Sequence, residues 1–326
     1  MQAQRLFRYA ASLCIATALL AGCVGSQPPI GAPGSMPRAS AIAQHAAPGK
    51  SWMLPEASGT DLLYVSDPVD KQVDVLSYPQ GTLQGTLTGF TSPLGLCSDS
   101  AANVWIVNES PAEVIEYGHG GTSPIATLDI PFQAPLGCAI DPKTGNLAVS
   151  GVGAEVSVFQ EARGQPTTYG SDDFYHMYFC GYDNHDNLFI SGDSQSGANI
   201  AELPANGNNL RSISLSETLA RPGAVQWDGK HVTLANLIGG SKLPIYRLSF
   251  TGSTAHIAST TMLKVKHLHG GQGWIQGQTY VQPEGSNNRM IGFWKYPHGG
   301  RAKSVISLEN KSRELFGITV SVAPSH

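Results

Sequence analysis

The chain has little charge and little cysteine, and it has no apolar run long enough to cross a membrane. Of its 326 residues 13% are charged and 41% hydrophobic, which excludes a solvated, disordered chain and leaves ample material for a core. The formal net charge of -4 argues against a nucleic-acid partner, which needs a basic stripe able to displace counterions. The most apolar stretch, YAASLCIATALLAG, runs for about 14 residues, too few to span a bilayer as a helix. No segment sustains a helical period.

That stretch follows Arg5 and Arg8, and the pair reads as a secretory signal over residues 1–22. It ends Leu20-Ala21-Gly22-Cys23, which resembles the bacterial lipobox. The resemblance implies that Cys23 is lipidated and becomes the mature N-terminus, holding the protein on a membrane surface by buried acyl methylenes. Val24 and Gly25 lack the aspartate that commonly retains such proteins at the inner membrane, so the expected address is extracytoplasmic, with the outer membrane favoured if the cell has two. Loss of residues 1–22 removes two arginines and no acid, taking the formal charge from -4 to -6. Residues 23–58, rich in Pro, Gly, Ala and Ser, read as a flexible tether. Beyond them remain Cys97, Cys138 and Cys180, an odd number, compatible with one bridge and a spare thiol or with three unpaired cysteines.

The domain proper, 59–326, is repetitive. PLGLCSDSAANVWIV from Pro93 returns as PLGCAIDPKTGNLAV from Pro135, with Gly95 and Gly137 standing 42 residues apart. A third copy keeps Asp183 and puts Phe179 where the glycine stood; looser copies start at Pro222, His269 and Leu315. Between them lie alternating runs broken by Pro or Gly turns, such as VIEYGHGGTSPIATL, which read as hairpins. Units of about 44 residues with four short strands have the size of propeller blades. The expected fold is therefore all-β: a six-bladed β-propeller of four-stranded antiparallel blades, with the C-terminal strand joining the N-terminal blade to close the ring. The spacing of Asp99 with Asn103, Asp141 with Asn146 and Asp183 with Asn187 resembles the NHL repeat, and physically these pairs shape the turn between the first two strands.

Candidate site residues come from the loops that gather on one mouth of such a ring. Where regular repeats carry Pro, others carry His176, Arg221, His267 and His269; the loops after the second strands supply Asp67, Glu109, Asp193, Asn236 and Glu284. These positions suggest a binding or scaffold module with a protein or small-ligand partner at the mouth, working as a monomer and without a cofactor. Two alternatives stand beside it. The gluconolactonase family resembles this chain in its expected architecture, which implies a metal-dependent lactonase or esterase with a divalent cation held by Asp, Asn and Glu oxygens, although no EGP phrase opens a first repeat. An aromatic cluster of Tyr175, Tyr178, Phe179 and Tyr182 suggests a surface sensor of sugars or peptides. The HLH of His267 and His269 has zinc-like spacing. YDNHDN from Tyr182 has a calcium-loop look but aligns with plain turns in its neighbours, and GDSQSG around Ser194 lacks the spacing of a nucleophile elbow.

Overall fold

A computed structural model describes residues 49–195, 197–266, 271–284, 290–308 and 314–324. The expected signal, Cys23 and most of the tether lie outside the described residues, as do His267 and His269.

The second repeat shows how these residues become a sheet. Its strands run Pro93–Ser98, Val104–Asn108, Glu113–Tyr117 and Pro124–Asp129, antiparallel in that order. The strand Val104–Asn108, apolar from Val104 to Val107, is buried at every position, Glu113–Tyr117 is partly buried, and Pro124–Asp129 is largely exposed. Burial thus falls from the centre outward, as expected when both faces of the inner strands are covered and the outer strand meets water. The third sheet, Pro135–Ile140 to Thr167–Gly170, repeats the order. Neighbouring sheets stack face to face: Tyr64 and Val75 of the first meet Leu96, Val104 and Ile106 of the second in one apolar cluster.

The inner strands follow one another round a common axis. Ile318–Ser321 packs on Pro93–Ser98, that on Pro135–Ile140, then His176–Tyr182, Pro222–Trp227 and Trp274–Gln276, which returns to Ile318–Ser321. The repeated glycine is what permits this approach. A Cβ on Gly95 would lie 2.3 Å from the carbonyl oxygen of Leu136, and one on Gly137 would lie 2.9 Å from that of Tyr178. Phe179, standing where that glycine is expected, instead stacks on Phe316 from the opposite side of the ring, with centroids 6.1 Å apart.

The expectation of six four-stranded blades is corrected by the sheet pairing. Four sheets are separate blades, of which one has five strands and three have four; the remaining strands form one nine-stranded sheet. In it, His176–Tyr182 through Arg211–Leu215 joins Pro222–Trp227 through Thr254–Lys264 by parallel pairing of Ser214 with Thr254 and Leu215 with Ala255. Its end strands, His176–Tyr182 and Pro222–Trp227, pack on each other, so it curls into a nearly closed barrel. The physical reason is strand length. Lys242–Thr251 and Thr254–Lys264 are 10 and 11 residues long, so the free edge of the latter meets Arg211–Leu215 near the hairpin turn and Gly300–Arg301 at its far end.

Two further features sharpen the boundaries. The C-terminal strand Ile318–Ser321 pairs antiparallel with Leu62–Asp67, so the chain's two ends share the first sheet. The expected tether boundary at residue 58 is too late, because Trp52–Met53 pairs with Leu83–Leu87 and the turn Pro55–Gly59 buries Ala57. A disulfide joins Cys97 to Cys138 on adjacent inner strands, with Cα atoms 5.7 Å apart. Cys180 is the spare thiol, and burial pushes its pKa up to about 12, so it is inert at neutral pH.

Candidate functional site

The repeat phrase ends its turns as the sequence implies. Asp99 accepts the N–H groups of Ala101 (2.9 Å) and Asn103 (2.8 Å), while the Asn103 amide donates back to Asp99 (3.1 Å). Asp183 is used identically by His185 and Asn187, so the YDNHDN segment is a turn whose carboxylate is committed to it.

At the other end of the strands, the second strands of most repeats close on a polar residue, Leu147–Gly151 ending instead on glycine. Asn236, buried, accepts the N–H groups of Ala220 (3.1 Å) and Arg221 (3.3 Å). Asn108 does the same for Thr91 and Ser92. Glu284, also buried, accepts from the N–H of Lys266 at 3.1 Å, and buried Asp67 accepts from Val69 and Asp70 in its own turn. Glu109 is exposed and holds Ser92 Oγ at 3.0 Å. Asn108, Asn236 and Glu284 therefore fasten incoming loops, and Asp67 its own turn, by satisfying backbone N–H groups, while Glu109 holds only a serine hydroxyl.

Asp193 occupies the same position with a different use. In other repeats the cross-strand partner at this position is proline, as Pro93 opposite Asn108 and Pro222 opposite Asn236; here the partner is His176. His176 Nδ1 lies 2.8 Å from one Asp193 oxygen, and Tyr178 donates its hydroxyl to the other at 2.6 Å. The register shift between Met177 and Phe179 leaves Tyr178 as the bulged residue, and its ring stacks on His176 with centroids 5.7 Å apart. Burial, then the hydrogen bond to Asp193 and its negative charge, push the Tyr178 pKa up to about 12, against a smaller opposite pull from the Arg221 cation. Tyr178 is thus a hydroxyl donor at neutral pH. His176 and Asp193 keep side-chain exposures of 40% and 32%, so the cluster is reachable from solvent.

The structure therefore gathers His176, Asp193 and Arg221 from the nine predicted mouth residues, and adds Tyr178. Asp67, Glu109, Asn236 and Glu284 sit at strand ends but serve the loops. Beside the cluster opens a cleft of about 630 Å³ lined by Asp172, Asp173, Tyr175, Asn199 and Ser212, among others; Tyr175 is 57% exposed at its edge. Phe179 and Tyr182, the other aromatics of the predicted cluster, are buried packing residues.

A propeller-like ring of four-stranded antiparallel blades is the feature that other structures share. The chain is a β-propeller. Among solved structures it is similar to one titled a nidogen/laminin complex (TM-score 0.66, 13% identity, covering 81% of this chain and 100% of that one). It is also similar to a protein of unknown function from Bacteroides caccae (0.60, 10%, 80% and 99%) and to hydrazine synthase from Kuenenia stuttgartiensis (0.52, 13%, 80% and 80%). At such identities the likeness concerns the fold alone. No family model matches the sequence, and no curated protein matches it.

Among the described residues, the oxygens that the gluconolactonase resemblance would assign to a cation have partners within the protein. Asn236 and Glu284 direct oxygens at backbone N–H groups, and Asp193 is held between His176 and Tyr178. Among the described residues no group of three or more His, Cys, Asp or Glu side chains is placed to hold a metal ion.

A second concavity, which sequence reasoning missed, lies at the opposite end of the axis. About 360 Å³ is enclosed by residues of the inner strands, including Trp227, Trp274, Gln226 and Cys138. Gln272 closes it off internally: its side chain accepts from Leu96 N–H and donates to Leu96 C=O, both at 2.8 Å, bridging inner strands across the ring. No local pattern marks this glutamine, because its partner is 176 residues away.

Proposed function

We propose that this β-propeller is a membrane-anchored, extracytoplasmic binding module that holds a protein partner through its mouth face. The observation that carries the reading is the His176–Tyr178–Asp193 cluster. It replaces a proline-bearing strand start with three mutually bonded polar groups, half exposed, beside a cleft edged by the exposed Tyr175. Exposed aromatics and fixed polar groups at a concave surface are what partner recognition uses, the ring providing area and the bonded groups orientation. Two carboxylates, Asp172 and Asp173, line the cleft, which suits a partner segment offering donors or positive charge.

The test compares proteins recovered from membranes with the full chain, with Tyr175→Ala/Asp193→Ala, and with Lys143→Ala at the opposite end of the inner strands. A specific partner kept by Lys143→Ala and lost by the double variant supports the reading. Equal recovery by all three overturns it.

One observation favours a second reading, hydrolysis of lactones or esters. Asp193 fixes His176 through Nδ1, which leaves Nε2 to take a proton from water in the manner of a general base. Turnover of such a substrate that survives chelation and disappears in His176→Ala would support it; absence of turnover would exclude it.

A further inference from the structure

A groove separate from the His176 cluster collects positive charge in a chain whose net charge is negative. Lys242 and Lys264 are direct cross-strand partners, and Lys264 is in turn the partner of Arg301. Residues paired in this way point to the same face of a sheet, and like charges placed opposite each other repel. Three cations therefore stand in a row across three adjacent strands. Lys266, two residues beyond Lys264, adds a fourth to the same groove, which encloses about 580 Å³.

Neutralisation from within is incomplete. Glu284 is the one carboxylate among the described residues that line the groove, and its Oε1 accepts the backbone N–H of Lys266. No ion pair among the described residues involves Lys242, Lys264, Lys266 or Arg301. Lys264 is anchored where it stands, since its carbonyl accepts the indole N–H of buried Trp294 at 3.2 Å. The strands thus hold the backbone of the row in register, with a guanidinium fork at one end and point charges beside it. That combination matches a phosphate group, whose oxygens take paired donors from arginine and compact charge from lysine.

We propose that the groove formed by Lys242, Lys264, Lys266 and Arg301 binds a phosphorylated ligand. The phosphate neutralises a charge row that the strands hold together against repulsion. This site is independent of the mouth cluster, and either can fail without the other.

The experiment is calorimetric titration of the full chain, in detergent and at low ionic strength, with inorganic pyrophosphate and separately with glycerophosphoglycerol, a soluble phosphodiester headgroup. Saturable binding near one equivalent is expected, weakened at least tenfold in Lys242→Gln/Lys264→Gln/Arg301→Gln and unchanged in His176→Ala. Tighter binding of pyrophosphate assigns a free phosphorylated metabolite; tighter binding of the diester assigns a lipid headgroup. All three substituted side chains are exposed, and the single Lys264→Gln variant, expected to lose about half the gain in binding free energy, covers the case of a triple variant that does not fold. Equal titration of wild type and triple variant, or no binding of either probe to the wild type, overturns the proposal.

Discussion

Replacing Gln272 by alanine tests how the ring is closed at its centre. Gln272 is 5% exposed, and its two hydrogen bonds satisfy the N–H and C=O of Leu96, which face away from the strand Val104–Asn108. Truncation removes two hydrogen bonds and leaves two buried backbone groups without partners. At about 1–3 kcal/mol for each orphaned group, Gln272→Ala should cost about 2–6 kcal/mol, a large share of the stability of an ordinary domain. Gln272→Leu should cost nearly as much, because shape without polarity does not satisfy Leu96. Gln272→Glu separates the terms further. It keeps an acceptor for the Leu96 N–H but sets a carboxylate against the Leu96 carbonyl, so its folded-state pKa must rise above the unfolded value of about 4.3. A raised carboxyl pKa means that the folded state binds more protons, so the deficit of this variant is full at neutral pH and shrinks as pH falls toward the unfolded value. Urea unfolding followed by tryptophan fluorescence reads all three. A loss below about 1 kcal/mol in Gln272→Ala, or a Glu variant insensitive to pH, would refute the reasoning.

Three more outcomes follow from the same geometry. Asn236→Ala frees the N–H groups of Ala220 and Arg221 and should cost about 1–3 kcal/mol in urea unfolding, whereas Glu109→Ala, exposed and bonded to one serine, should cost under about 0.5 kcal/mol. Cys97→Ser/Cys138→Ser opens a bridge of sequence separation 41, and loop entropy predicts a loss of about 4 kcal/mol, read from the midpoint of denaturation under non-reducing conditions. Asp228 is opposed by burial, yet hydrogen bonds from Tyr296, the N–H groups of His231 and Lys230, and Arg247 together hold its carboxyl below the usual range. It therefore adds stability above the unfolded carboxylate value of about 3.9 that is lost as pH falls through its lower folded pKa, and Asp228→Asn should flatten the acid limb of the stability profile.

How much of this was legible in the sequence depends on the range of each interaction. The Asp–Asn turns are local, four residues apart at Asp99 and Asp183, so the phrase that encodes them reads directly as structure. Strand order within a repeat was also readable, because each hairpin follows its turn. The joining of two repeats into one sheet was not: it depends on Thr254 and Ala255, at the turn end of a long hairpin, also pairing through their free edge with a strand some forty residues earlier, and alternation alone does not fix how far a hairpin runs. At the site, His176 stood out as a departure from a proline, and the structure gives that departure a partner in Asp193. Asn236 and Glu284 looked equally available in sequence, since nothing local shows that their oxygens are taken up by the N–H groups of loops 15 to 18 residues away. The cation row was invisible for the same reason, being a product of register between strands.

The central claim is that the face bearing His176, Tyr178 and Asp193 is where this propeller meets its partner. Photo-crosslinking of the full chain in intact cells, with the reactive group placed at position 175 and, in a parallel chain, at position 143 on the opposite face, tests it most directly. The account predicts a discrete adduct from position 175 and none from position 143. An adduct from position 143 alone would contradict it.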